Sequence, residues 1–115
     1  MATIDQTHLV EYLDEMALRL GVTFAAVSVL TEAGFDEENC TVTARGELRA
    51  VSGNEINRNV QIVVTVYDTQ KRVIGTSSTT VNADEFYGFE AFEVGVAVPL
   101  AASNIEVVRV YPKKW

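Results

Sequence analysis

Few residues in this 115-residue chain carry side chains suited to chemistry. His8 is the single histidine, and it stands near the N-terminus without a cysteine partner or a metal-type spacing around it, so it reads as an exposed polar residue. Cys40 is the single cysteine, which rules out an intrachain disulfide. It falls on the apolar side of an alternating segment, where a thiol serves as a small core residue. Asn39-Cys40-Thr41 has the form of a glycosylation sequon. Among the carboxylates, Asp84 and Glu85 with Glu90 or Glu93 could in principle form an acid–base pair. Glutamates that alternate out of a strand are read here as its solvated face. Glu32, Asp36, Glu37, Glu38 and Asn39 gather hard oxygen donors of the kind that hold Ca²⁺, but their spacing matches no recognised calcium loop. No glycine loop that would cradle a phosphate is present. The expectation is therefore no catalytic residue, no metal site and no cofactor.

What remains is contact chemistry. Phe86-Tyr87-Gly88-Phe89 places three aromatics in four residues, between an acidic break and a strand. Such a loop can present rings to a protein partner or to a sugar. It can also fold Phe86 and Phe89 back as a plug for the end of a core, leaving Tyr87 outside, and the plug is the expected form. The second candidate surface is an apolar stripe that includes Leu9, Leu13 and Met16. Together Phe86, Tyr87, Phe89, Leu9, Leu13 and Met16 make up the candidate interaction surface, with a protein partner or a homodimer as its target.

These residues need a scaffold, and the chain has the length for one domain with one modest core. A hydrophobic fraction of 48% marks it as folded rather than disordered. Eighteen valines and eleven threonines favour strands, because β-branched side chains suit a pleated, half-buried surface. The net charge of −7 opposes binding to nucleic acid or to an anionic membrane. No stretch reaches the roughly 20 apolar residues of a membrane span, and the first residues lack the pattern of a signal peptide. A cytoplasmic location is expected, or an envelope one if a leader has been removed.

The only helical period runs over residues 5–20, where Leu9, Val10, Leu13, Met16, Ala17 and Leu20 recur at three- and four-residue steps. Thr3 or Asp5 can cap this helix and Gly21 can end it. Beyond Gly21 the period is two. Strands are expected over 23–31, from Cys40 to Ala50, from Val60 to Val66, near Val73, from Thr76 to Val81, from Phe92 to Val98 and from Ile105 to Tyr111. Their inward set names the core as Val42, Leu48, Val60, Ile62, Val64, Val66, Phe92, Val94 and Val96. Val63, apolar on the other face, marks a central strand. The fold class is mainly β: a seven-stranded antiparallel immunoglobulin-like β-sandwich over 23–111, with one N-terminal amphipathic helix, in a single domain over 1–115. The terminal Lys113-Lys114-Trp115 is expected to hang loose.

Asn59-Val60-Gln61-Ile62-Val63-Val64-Thr65-Val66-Tyr67-Asp68, followed by Arg72-Val73-Ile74-Gly75-Thr76, resembles the signature of the FxLYD family. The family motif Phe-x-Leu-Tyr-Asp stands here as Val64-Thr65-Val66-Tyr67-Asp68, and Tyr87-Gly88-Phe89-Glu90-Ala91-Phe92 is similar to the family's downstream turn and strand. The resemblance covers about residues 23–111. It implies a small bacterial or archaeal immunoglobulin-like sandwich with an accessory or interaction role, often envelope-associated, and with no defined common ligand. Residue by residue the motif reads as structural. Tyr67 lays its ring over a sheet and finds a hydroxyl partner, Asp68 opens a turn on its own backbone, and Gly75 permits a bulge. The leading expectation is thus a non-catalytic interaction or accessory domain. The alternative is an envelope-associated module that binds carbohydrate or calcium.

Overall fold

Two four-stranded sheets pack their valine-rich faces together in a computed structural model, which describes residues 3–33, 39–99 and 104–115. The strands are β1 (Thr3–Asp5), β2 (Val10–Tyr12), β3 (Val22–Ala33), β4 (Cys40–Ala50), β5 (Val60–Asp68), β6 (Val73–Val81), β7 (Phe89–Val98) and β8 (Ile105–Lys114). One sheet has the order β1-β3-β4-β7 and the other β2-β8-β5-β6. The mainly-β sandwich with a single N-terminal helix is therefore present.

Alternation positions the core. In β7, Phe92, Val94, Val96 and Val98 are buried while the residues between them are exposed. All nine residues named from the sequence lie in the buried cluster. Each such side chain removed from water contributes about 1.5–3 kcal/mol, which sets the register of every strand against slippage. β5 runs between β6 and β8, whose side chains flank its outer face, and Val63 is only 8% exposed. That is the central strand the second apolar face indicated. Cys40 is buried at the start of β4, and loss of solvation pushes its thiol pKa up.

The N-terminal segment departs from expectation. Residues 5–20 do not form one helix; only Asp14–Arg19, here α1, is α-helical. Before it the chain runs as β1 along the edge of β3, crosses at a 3₁₀ turn over Thr7–Leu9, and joins the other sheet as β2 beside β8. The crossing is held by bonds to β3. The Gln6 amide donates to the Val29 carbonyl at 2.8 Å and the Val29 amide to Thr7 Oγ1 at 3.0 Å. The side chains of Gln6 and Thr31 also join in the buried interior. The physical reason is that both sheets offer edges here. Strand pairing satisfies backbone groups along Thr3–Asp5 and Val10–Tyr12, whereas an isolated helix of about four turns is marginal in water. Apolar residues spaced for a helix serve equally as strand residues that turn inward. Asp5 does not cap a helix; its carboxylate accepts the Thr7 amide at 2.9 Å, and that bond holds its pKa below the ordinary value.

The strand count among the described residues is accordingly eight rather than seven, and β2 with β8 is a parallel pair in an otherwise antiparallel arrangement. Val73–Val81 is one continuous strand, in which Gly75 pairs with Val66 beside a bulge. Lys113 and Lys114 do not hang loose but extend β8, where Lys114 pairs with Val60.

Candidate functional site

The strand ends at Ala50, Val60, Val81 and Phe89 lie at the same end of the sandwich, and α1 and Gly21 border it. Two loops, residues 51–59 and 82–88, close this end and are tied to each other and to the sheets by backbone bonds. The Gly88 amide donates to the Asn54 carbonyl at 2.8 Å, and the Ala50 amide to the Gly88 carbonyl at 3.0 Å. The Ala83 amide donates to Asn59 Oδ1 at 2.9 Å, and the Val51 amide to the Gly21 carbonyl at 3.0 Å. Gly88 sits at φ +88°, a left-handed backbone that favours glycine, and a Cβ there would lie 3.1 Å from Asn54 Oδ1. This glycine lets the chain turn into β7 beside Asn54.

The outcome divides the aromatic segment. Phe86 is 5% exposed and belongs to the core cluster, so it is the plug and not part of a contact surface. Tyr87 is 79% exposed and Phe89 is 56% exposed, so Phe89 does not share the plug role expected of it. The reason is strand parity: Phe92 must face inward, which sends Phe89 outward with Ala91 and Glu93. Five of the eight exposed large apolar residues among the described residues stand at this one end: Leu18, Val51, Tyr87, Phe89 and Trp115. Such a concentration marks it as the apolar end of the molecule.

The other predicted contact residues are placed differently. Leu9 is half-buried against the core, and Leu13 and Met16 are half-buried as well, so this stripe is turned largely onto the protein's own sandwich. Sequence reading missed Leu18, Val51 and Trp115. They lie on three separate segments, and no local pattern announces that the fold gathers them at one end.

Beside Tyr87 the two loops enclose an open hollow of about 730 Å³, lined among others by Asn54, Glu55, Asn57, Asp84, Phe86 and Tyr87. Phe86 supplies an apolar floor. Among the described residues, the side chains of Asn54, Glu55, Asn57 and Asp84 have no hydrogen-bond partner. Glu90 turns inward near this end, where burial and the nearby Glu85 charge push its carboxyl pKa up. Glu93 turns outward and pairs with Arg45 at 3.0 Å, so the carboxylates considered for acid–base work lie on opposite faces of β7.

At the opposite end the motif residues take structural roles. Asp68 Oδ1 accepts the amides of Gln70 and Arg72, each at 2.9 Å, and Oδ2 accepts Arg72 Nε at 3.0 Å. The Arg72 amide is the largest cause that holds the Asp68 pKa below its usual value. Arg109 lies 4.9 Å from the Tyr67 ring centre, donates to the Tyr67 hydroxyl at 3.1 Å and pairs with Glu11 of β2 at 2.7 Å. A cleft of about 440 Å³ opens beside this group. It is lined by both charge signs, Lys71 and Arg109 against Glu11 and Glu106. For the acidic loop, residues 34–38 lie outside the described residues. Among the described residues, no group of three or more His, Cys, Asp or Glu side chains could hold a metal ion. No helix among them is long and apolar enough to cross a membrane.

Sheet order, core and loop ends together define a β-sandwich domain. The same fold occurs in a glycosyl hydrolase family 2 member from Bacteroides cellulosilyticus, with a TM-score of 0.58 and 10% identity over 82% of this chain and 15% of that one. A second structure of a family 2 member from that organism superposes with a TM-score of 0.56 and 9% identity, over 82% of this chain and 14% of the other. The chain therefore spans only about 15% of the length of these proteins, and at such identity the likeness is one of fold. No family model matches the chain, and no curated protein matches its sequence.

Proposed function

We propose that this chain is a non-catalytic interaction domain that contacts protein through its apolar end, a second copy of itself first. The observation that carries the reading is the pair Tyr87 and Phe89, 79% and 56% exposed where a backbone-bonded loop enters β7. Two large apolar side chains on a rigid frame lose little conformational freedom on binding, which is the usual character of interface anchors. Val51 and Leu18 extend the patch. The resemblance of residues 23–111 to FxLYD domains supports an accessory role, since the motif residues Tyr67 and Asp68 are occupied with Arg109 and with a turn.

Sedimentation velocity over a wide range of protein concentration tests this. The expected result is a reversible, concentration-dependent shift from monomer to dimer. Val51→Ser combined with Phe89→Ser abolishes that shift while leaving the melting temperature nearly unchanged. A monomer at every concentration overturns self-association.

A further inference from the structure

We infer that the hollow beside Tyr87 is a binding site for a neutral oligosaccharide. The inference goes beyond the protein-contact reading: both use Tyr87, but this one adds Asn54, Glu55, Asn57 and Asp84, which that reading leaves idle. The frame of the hollow and its lining divide their hydrogen bonds sharply. Backbone groups of the two loops are bonded to one another at Gly88–Asn54 and to the sheet at Ala50–Gly88, Phe86–Ala83 closes a turn within one loop, and Asn59 binds the Ala83 amide. Phe86, 5% exposed, and Ile56, 7% exposed, anchor the two loops in the core. The side-chain amides of Asn54 and Asn57 and the carboxylates of Glu55 and Asp84 are exposed and have no partner among the described residues. The tied loop backbone thus presents four exposed polar side chains with both donors and acceptors, next to a ring that is 79% exposed.

Ligand chemistry follows from that set. A pyranose has an apolar C–H face that stacks on an aromatic ring, and a rim of hydroxyls that each donate and accept. Amides serve both directions and carboxylates accept, so such a ligand satisfies every group present. An anion is disfavoured by the two carboxylates and by the net charge of −7. A wholly apolar ligand would strip water from four polar groups without replacing it. A volume of about 730 Å³ accommodates more than one sugar ring.

The test is isothermal titration of the full chain with cellohexaose, xylohexaose, mannohexaose and maltohexaose. At least one is expected to bind, with weak but saturable affinity. Tyr87→Ala should weaken it by about tenfold or more, Tyr87→Phe should keep it, and Asn57→Ala should lower it several-fold. Raising the salt concentration should leave the affinity unchanged, because the contacts are not between opposite charges. Tyr87 is so exposed that its variants fold, which a thermal melt verifies. The inference is overturned if none of the four sugars binds, if Tyr87→Ala binds equally well, or if salt abolishes binding. That last result would mean that charge, and not stacking with hydrogen bonds, governs the binding. None of these outcomes touches the sedimentation result, so the two proposals fail separately.

Discussion

Gly75 of β6 lies against Val96 of β7 so closely that a Cβ at position 75 would fall 2.7 Å from Val96 Cγ1 and 3.0 Å from Val98 Cγ1. The two sheets meet here, at the margin where β6 and β7 run side by side. Any side chain at position 75 must push them apart, so Gly75→Ala is expected to cost about 1–3 kcal/mol of stability without changing the topology. Urea unfolding followed by circular dichroism measures this, and an unchanged midpoint would show that the margin is loose.

Phe86 and Tyr87 are adjacent in sequence and opposite in burial, which gives a sharp contrast. Phe86→Ala empties the plug of the apolar end and should lower stability by about 3–4 kcal/mol. Tyr87→Ala removes a ring that is 79% exposed and should change stability by less than about 0.5 kcal/mol. Parallel denaturation curves of the two variants decide it. Equal losses would contradict the division of roles.

The Asp68 carboxylate is bonded in the native turn, so its pKa is lower folded than unfolded. Its contribution to stability is therefore complete above the unfolded value of about 4 and disappears as pH falls through the lower folded value. Asp68→Asn should be less stable than the parent at neutral pH, by several degrees in melting temperature. The gap should close as pH falls through that lower folded value. Melts across that range check the sign, and a gap that widens on acidification would rule out the turn as its origin.

Cys40 is 3% exposed and its thiol pKa is raised by desolvation. Both effects suppress thiolate at the surface, so a disulfide reagent should label it only as fast as the protein opens. Labelling that is complete within the mixing time in native buffer would contradict its place in the core. Unfolding with denaturant should release the reaction.

Most of the sandwich was legible before any coordinates. Alternation along Cys40–Ala50, Val60–Val66 and Phe92–Val98 named a core set that is all buried, because period-two burial follows from strand geometry alone. The Asp68 turn was equally readable, since its partners lie within four residues. The N-terminal segment was misread because Leu9, Val10, Leu13 and Met16 fit a helical face, and local spacing carries no information about a vacant strand edge. The edges beside β3 and β8 exist only after residues far along the chain have folded.

The sequence by itself determined the strands after Gly21, the core and the concentration of aromatics at 86–89, since each depends on neighbours within a few residues. Only the tertiary structure decided which of those aromatics is a plug and which are free. It also brought Leu18, Val51 and Trp115 to their end of the molecule and set Asn54 and Asn57 around a hollow. The physical reason is that burial and juxtaposition are properties of packed pairs from distant segments. A residue's chemistry is written in the chain, but whether anything covers it is settled by what folds beside it.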